Sequence, residues 1–332
     1  MKNLVAHVFL NGKYSVGSLK FEGRRIIFEE TDKKAEYIVT GGFVNAHTHI
    51  GDSFIENVPK MGVMELVGPN GFKQKMLERA NKTTIIKGMK KSLGIMENDN
   101  IRYFFDFREG GIDGLKLINS LKFKKTNAVI LSRPKKSIID YDEIEYLLKN
   151  SSGIGMSSIS DYDYKFLMEI SKIVKENGKI FAIHASERIR EDIDKILNLN
   201  PDFIVHMHKA DDQDLDKVRE KNIPIVVCPR SGMFFNIEMD INRFLKKGIN
   251  VALGTDNAMI SIPSIRIEML FTSFLFNLDP IEILKMATIN MDKFLPVKDK
   301  IFIYKSSPYE IVKNPFIEPV KILNIKDIDF NF

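Results

Sequence analysis

The chain has 332 residues but only six histidines: His7, His47, His49, His184, His206 and His208. His47 and His49 stand two apart, so on an extended strand both imidazoles face one side and can hold a single ion. Two imidazoles, a third imidazole and a carboxylate make a hard-to-borderline N/O donor set, suited to Zn²⁺ or, with similar ligands, to Fe²⁺. Each signal is weak when taken singly. His-x-His pairs arise by chance, and a lone histidine at a strand end is commonly a core or rim residue. An aspartate in a Gly254-Thr255-Asp256 turn is commonly a turn residue or a helix cap. What these residues can do depends on the elements that carry them.

Short apolar runs rich in β-branched side chains recur along the chain. They lie at Gly42–Ala46, Tyr103–Phe107, Ala128–Leu131, Gly153–Ser157, Ile180–Ile183, Phe203–Val205, Ile225–Val227 and Val251–Leu253. Each is followed by polar residues, as expected of parallel strands buried on both faces. Helical periodicity fills the gaps. In Tyr164–Glu176 the apolar set Phe166, Leu167, Ile170, Ile173 and Val174 is spaced three and four apart, and Asn177-Gly178 supplies a stop. Asp211–Lys221 and Ile237–Lys247 read in the same way, and a longer helix is expected within Gly71–Met96. A loop carrying Pro59, Gly62, Gly68 and Pro69 precedes that helix, in the position of a lid. Eight strands alternating with helices over about 250 residues fit an α/β fold of the (β/α)₈ TIM-barrel type. A doubly wound sheet is the alternative, but the Gly-rich phosphate turn common after its first strand is absent here.

On this map His47-Thr48-His49 closes strand one, His184 strand five and His206 strand six, while Asp256 follows strand eight. Reactive groups of a barrel gather at the C-terminal ends of its strands, so all of these face one mouth. That joint placement favours a metal site over coincidence. Residues 1–40 read as hairpins, with turns at Asn11-Gly12 and Glu22-Gly23, and residues 300–332 as short strands at Ile301–Tyr304 and Val320–Ile325. Neither end suffices alone, so the two together are expected to form one small β-domain (1–40 plus 300–332) beside a barrel domain at 41–299.

Composition removes several classes of function. Lysines and arginines exceed aspartates and glutamates by 49 − 44 = 5, a surplus too small and too scattered for a nucleic-acid binder. The single cysteine, Cys228, excludes a disulfide framework within the chain and any Cys-rich zinc module. It reads as a buried small apolar residue. The N-terminus does not read as a signal peptide, and no apolar run is long enough to span a membrane. A cytoplasmic protein acting on a small-molecule substrate is expected, without nucleic-acid or membrane partners. Assembly into a homo-oligomer is left open.

Four segments carry a family likeness: Gly41-Gly42-Phe43-Val44-Asn45-Ala46-His47-Thr48-His49, His184-Ala185-Ser186-Glu187, Cys228-Pro229-Arg230-Ser231 and Ala252-Leu253-Gly254-Thr255-Asp256. In order, strand placement and spacing the chain resembles the metal-dependent amidohydrolase superfamily. Within it, the chain is most similar to the branch of cytosine, guanine and S-adenosylhomocysteine deaminases and triazine chlorohydrolases. The resemblance implies a distorted (β/α)₈ barrel with a small β-sandwich built from both termini. It implies one divalent metal, because the strand-four lysine that bridges two ions in binuclear members has no counterpart in Ile154-Gly155-Met156-Ser157-Ser158-Ile159. By the same resemblance His47, His49, His184 and Asp256 are the ligands and Glu187 is the proton shuttle. His206, chosen over His208, would steady the attacking oxygen, and Asp256 would take the proton from water.

The activity so implied is deamination of a cyclic amidine such as a nucleobase, nucleoside or related heterocycle, by attack of metal-bound hydroxide. Hydrolysis of another C–N or C–Cl bond is the alternative, and a non-catalytic ligand-binding barrel a third. Arg108, Arg133 and Arg230 follow predicted strands and could meet a carboxylate or phosphate on the substrate, or be salt-bridged rim residues. His208 is a loop residue or a substrate contact.

Overall fold

Alternating burial is visible at the start of the first strand, where Leu4 and Ala6 are buried and Asn3, Val5 and His7 are not, before Val8, Phe9 and Leu10 are all buried. The computed structural model describes residues 3–22, 25–296, 299–324 and 329–331. Gly23 of the expected Glu22-Gly23 turn and Ile325 of the expected last strand lie outside the described residues. Strands β1 (Asn3–Leu10), β2 (Lys13–Glu22), β3 (Arg25–Glu30) and β4 (Tyr37–Thr40) begin the chain. The β1–β2 hairpin turns through Asn11 and Gly12 with φ of 53° and 72°, the left-handed pair that matches strand twist.

The barrel strands are β5 (Phe43–His49), β6 (Ile101–Arg108), β7 (Asn127–Ser132), β8 (Gly153–Met156), β9 (Ile180–Ala185), β10 (Phe203–His206), β11 (Ile225–Val227), β12 (Val251–Leu253) and β13 (Asp256–Asn257). Each pairs in parallel with the next, from β5 to β12. The eighth strand is broken at Gly254-Thr255. Its first part, β12, pairs with β11, whereas its second part, β13, pairs with β5, and this double allegiance closes the ring. Strands β14 (Lys300–Tyr304), β15 (Lys321–Asn324) and β16 (Asp329–Asn331) return to the first sheet. That sheet has the order β15-β14-β4-β1-β2-β3-β16, so both ends of the chain build it together.

Period-two alternation divides the barrel strands between two cores. Val44, Ala46, Tyr103, Phe105, Phe107, Phe203 and Val205 fill the barrel interior. Phe43, Phe104, Ile130, Ile154 and Ile204 face the surrounding helices. The helix Tyr164–Glu176 forms as its periodicity predicts, capped by Asp163 and ended at Gly178 with φ of 63°. The expected long helix is instead two, Phe72–Arg79 and Lys82–Asn98, because the Asn81 side chain accepts the Thr84 N–H and starts the second one. The helix expected over Ile237–Lys247 is also shorter, Ile241–Lys246. Asp240 caps it through the Arg243 N–H.

Closure depends on a close approach at Gly254. A Cβ there would lie 2.9 Å from the His47 backbone nitrogen and 2.6 Å from the His47 Cβ. Gly254→Ala is expected to cost about 1–3 kcal/mol of stability through overpacking. An unchanged urea midpoint and slope would contradict this account of the seam.

Candidate metal centre

A register shift in β5 between Asn45 and Thr48 reverses the parity set by Val44 and Ala46, so His47 and His49 turn into the barrel mouth and Thr48 between them turns outward. Its hydroxyl donates to the Phe105 carbonyl at 3.0 Å or to Asp106 Oδ1 at 3.1 Å, which pins the strand to β6. His184 stands at the end of β9, where its Nδ1 donates to the Met156 carbonyl of β8 at 2.8 Å. That bond places the proton on Nδ1 and leaves the Nε2 lone pair facing inward. His49 Nδ1 donates likewise to the Phe107 carbonyl at 3.1 Å. Phe107 itself stands edge-on against His47 and His184, with ring centroids 4.4 and 5.0 Å away. It has room because residue 155 opposite is glycine, where a Cβ would strike its ring at 2.5 Å.

Two triads that could each hold an ion share His47: His47, His184 and His206 form one, and His47, His49 and Asp256 the other. His184 Nε2 lies 3.1 Å from His47 Nε2, and Asp256 Oδ1 lies 3.4 Å from His47 Nε2 and 3.6 Å from His49 Nε2. Ligands at about 2.0–2.1 Å from a tetrahedral ion are separated by about 3.3 Å along each edge, so these spacings fit one small dication. Asp256 sits in the left-handed region with φ of 60°. Its Oδ2 accepts from Ser231 Oγ at 2.6 Å and its Oδ1 from Asn257 Nδ2 at 2.9 Å. His206, also left-handed with φ of 79°, brings a fourth imidazole beside the cluster. Its Nε2 lies 3.7 Å from Glu187 Oε1. Such backbone conformations cost about 1–3 kcal/mol each and accumulate where function requires them.

Electrostatics prepare these groups for a cation. Burial lowers the proton affinity of His47, His184 and His206, and lowers that of His49 to a pKa of about 4, so all four are neutral at pH 7. Burial acts the other way on Asp256, but His47 and the neighbouring imidazoles outweigh it and hold the carboxyl well below its usual range. Glu187 is pushed up to about 8, by burial first and then by the negative charge of Asp256. This favours its acid form, on the wall of a cleft that reaches the imidazoles.

The remaining predicted contacts divide. Arg133 lines the cleft, with its Nε donating to the Gly155 carbonyl at 3.3 Å. Arg108 does not line it. It falls on the outward parity of β6, buried beneath Gly51, and pairs with Glu109 at 2.8 Å. Arg230 is also turned away, tied to buried Glu268 and to the carbonyls of Ile262 and Ser264. Of the two readings open for Arg108 and Arg230, the salt-bridged one describes the contacts that both make. His208 is buried behind His206, ring centroids 5.8 Å apart, and is outside the cleft lining. Cys228 is buried as expected.

Sequence reasoning missed Glu109, whose Oε1 lies 2.7 Å from His49 Nδ1, and Lys73, whose Nζ lies 2.6 Å from the same oxygen. Glu109 directly follows a barrel strand, which was a usable signal. Lys73 sits in the lid region with nothing local to mark it. Ser231 and Asn257 stand inside or beside recognised segments and were passed over as supports.

The amidohydrolase family model matches residues 38–301, and the chain belongs to that family. It is thus a hydrolytic enzyme acting on C–N bonds. A protein of Archaeoglobus fulgidus, provisionally named an aminohydrolase, is 32% identical over 98% of this chain and 94% of its own length. The 5-methylthioadenosine/S-adenosylhomocysteine deaminase of Caldicellulosiruptor saccharolyticus is 24% identical over 84% of this chain and 73% of its own. Among solved structures, a zinc-bound adenosine deaminase from Xanthomonas campestris superposes with a TM-score of 0.71 at 11% identity, covering 97% of this chain and 91% of that one. Helicobacter pylori aminofutalosine deaminase also gives 0.71, at 15% identity, over 94% and 95% of the two chains. These two share the fold. Among the described residues no helix is long and apolar enough to cross a membrane.

The convergence of Nε2 and Oδ1 atoms makes metal content the direct test of the site. The purified chain is expected to carry about one dication, and His184→Ala to lose most of it by elemental analysis. Full occupancy in that variant would show that His184 is not a ligand.

Proposed function

We propose that the chain is a mononuclear, metal-dependent aminohydrolase that deaminates a cyclic amidine such as a nucleobase, nucleoside or related heterocycle. His47, His49, His184 and Asp256 would hold the ion, Zn²⁺ in first place and Fe²⁺ in second. Bound there, it would supply the Lewis acidity that makes water a nucleophile at neutral pH. A single ion is favoured because β8 and the residues after it offer no lysine to bridge a second.

The protein's own groups divide the proton work. Asp256, ionised and steadied by Ser231 and Asn257, accepts the proton that the attacking water gives up. His206 Nε2 faces the same space and orients the attacking oxygen by a hydrogen bond. Glu187 donates its proton to the ring nitrogen next to the carbon under attack, which removes the negative charge that would build on the ring. The proton held by Asp256 passes to the departing amine, and the proton still on the attacking oxygen returns to Glu187, so that ammonia leaves, a keto product remains and the acid is restored. Arg133, on the cleft wall, is the candidate contact for an acceptor on the substrate.

Glu187 carries this reading. A protonated carboxyl beside a cluster of metal-binding type suits ring protonation, and simple amide hydrolysis has less need of it. Glu187→Gln is expected to retain its metal and lose about 10²–10⁴-fold in kcat. In the wild type kcat/KM should fall as pH rises through the Glu187 pKa, about 8 in the metal-free chain, because the acid form is the active one and is lost above that point. A bound cation would move this limb lower. Ammonia release across a panel of purines, pyrimidines and pterins checks the class, and unchanged turnover in the variant would remove Glu187 from the chemistry.

A further inference from the structure

The lid helix Phe72–Arg79 buries one side chain, and that side chain is a lysine. Lys73 is only 6% exposed. Its Nζ lies 2.6 Å from Glu109 Oε1 and donates to Asn257 Oδ1 at 2.9 Å, with Asp52 Oδ2 further off at 3.8 Å. Glu109 Oε1 is in turn 2.7 Å from His49 Nδ1, and Asn257 Nδ2 donates to Asp256 Oδ1 at 2.9 Å. One ammonium from the lid thus spans the supports of two candidate ligands, one on β5 and one on β13, across the seam where the barrel closes.

Packing alone does not account for a charge at this place. Burying an ammonium is costly unless it is paired, and a methionine of similar length would fit the same wall at lower desolvation cost. The neighbouring lid residues Phe72 and Met76 already pack on a small apolar cluster with Ile55, Leu66 and Met259. What the ammonium adds is directional. It offsets the buried Glu109 carboxylate and keeps it beside His49. By occupying Asn257 Oδ1 it also turns the amide NH₂ toward Asp256. Without it Asn257 could rotate and set its carbonyl oxygen against the carboxylate.

We propose that Lys73 is a positioning residue that couples docking of the lid helix to the arrangement of His49 and Asp256 around a metal ion. This rests on the reading of the cluster as a metal centre. The coupling is reciprocal, as linkage requires. A docked lid favours metal binding, and a bound ion that fixes His49 and Asp256 favours the docked lid.

The test uses the full chain, with Zn²⁺ as the probe. Zn²⁺ affinity is measured by competition with a chromophoric chelator. Amide hydrogen exchange across residues 63–79 is followed with and without Zn²⁺. In the wild type Zn²⁺ should slow exchange in the lid. Lys73→Met should weaken Zn²⁺ binding by about 10–100-fold, the usual scale for second-layer partners, and should abolish the response of lid exchange to Zn²⁺. Glu109→Gln, which keeps the shape and removes the countercharge, should shift both readouts in the same direction, and it carries the test if Lys73→Met does not fold. Zn²⁺ affinity within twofold of wild type, together with a lid that still responds to Zn²⁺, would overturn the coupling. A wild-type chain that takes up no Zn²⁺ would remove the metal reading and this inference with it.

Discussion

Two imidazole nitrogens 3.1 Å apart, His47 Nε2 and His184 Nε2, set the main constraint on this structure. The His184 proton is committed to the Met156 carbonyl, so a lone pair of that ring faces its neighbour, with an ionised Asp256 a few tenths of an ångström further away. Without a cation the contact is relieved only by a His47 that carries its proton on Nε2, and nothing holds that ring from its other side, because Nδ1 is buried without a partner. Protonating the rings is a poor remedy, because burial has already lowered their proton affinity. A small dication would accept lone pairs from either of the two triads that share His47.

The surrounding fold keeps this arrangement in place. The break in strand eight at Gly254-Thr255 lets one segment seal the barrel and then carry Asp256 across to β5. Asn45 secures the crossing by donating to Thr255 Oγ1 at 2.8 Å and accepting the Thr255 N–H at 3.1 Å. Gly155 makes space for Phe107, which in turn limits how far His47 and His184 can tilt. Outside the donors lies a ring of paired charges, Lys73, Glu109 and Arg108, that would be costly to bury singly. The site is therefore tied to the lid on one side and to strand pairing on the other.

Much of this was legible in the sequence. Parallel strands buried on both faces leave short uncharged runs with sharp polar ends, so β5 to β12 and the histidines closing three of them could be placed from one chain, whereas the two-residue β13 could not. That His47 and His49 share one side is readable from period two, but which side is not, because the irregularity between Asn45 and Thr48 reverses the parity of Val44 and Ala46. What stayed hidden depends on tertiary parity or long range. Arg108 follows an apolar run just as Arg133 does, but only strand pairing and the room above Gly51 decide that it faces away from the cleft. Arg230 is claimed by Glu268, thirty-eight residues later. The split of the lid region at Asn81 was readable as an N-cap, whereas Lys73 acquires meaning only once Glu109 and Asn257 arrive from distant strands.

The central claim is that one ion is shared by His47, His49, His184 and Asp256. Anomalous difference density from crystals of the metal-loaded chain, collected on both sides of the zinc absorption edge, tests it most directly. The account predicts a single peak about 2.0–2.2 Å from the three Nε2 atoms and the nearer Asp256 oxygen. A fully loaded protein whose peak lies elsewhere, or a pair of peaks bridged across the mouth, would contradict it.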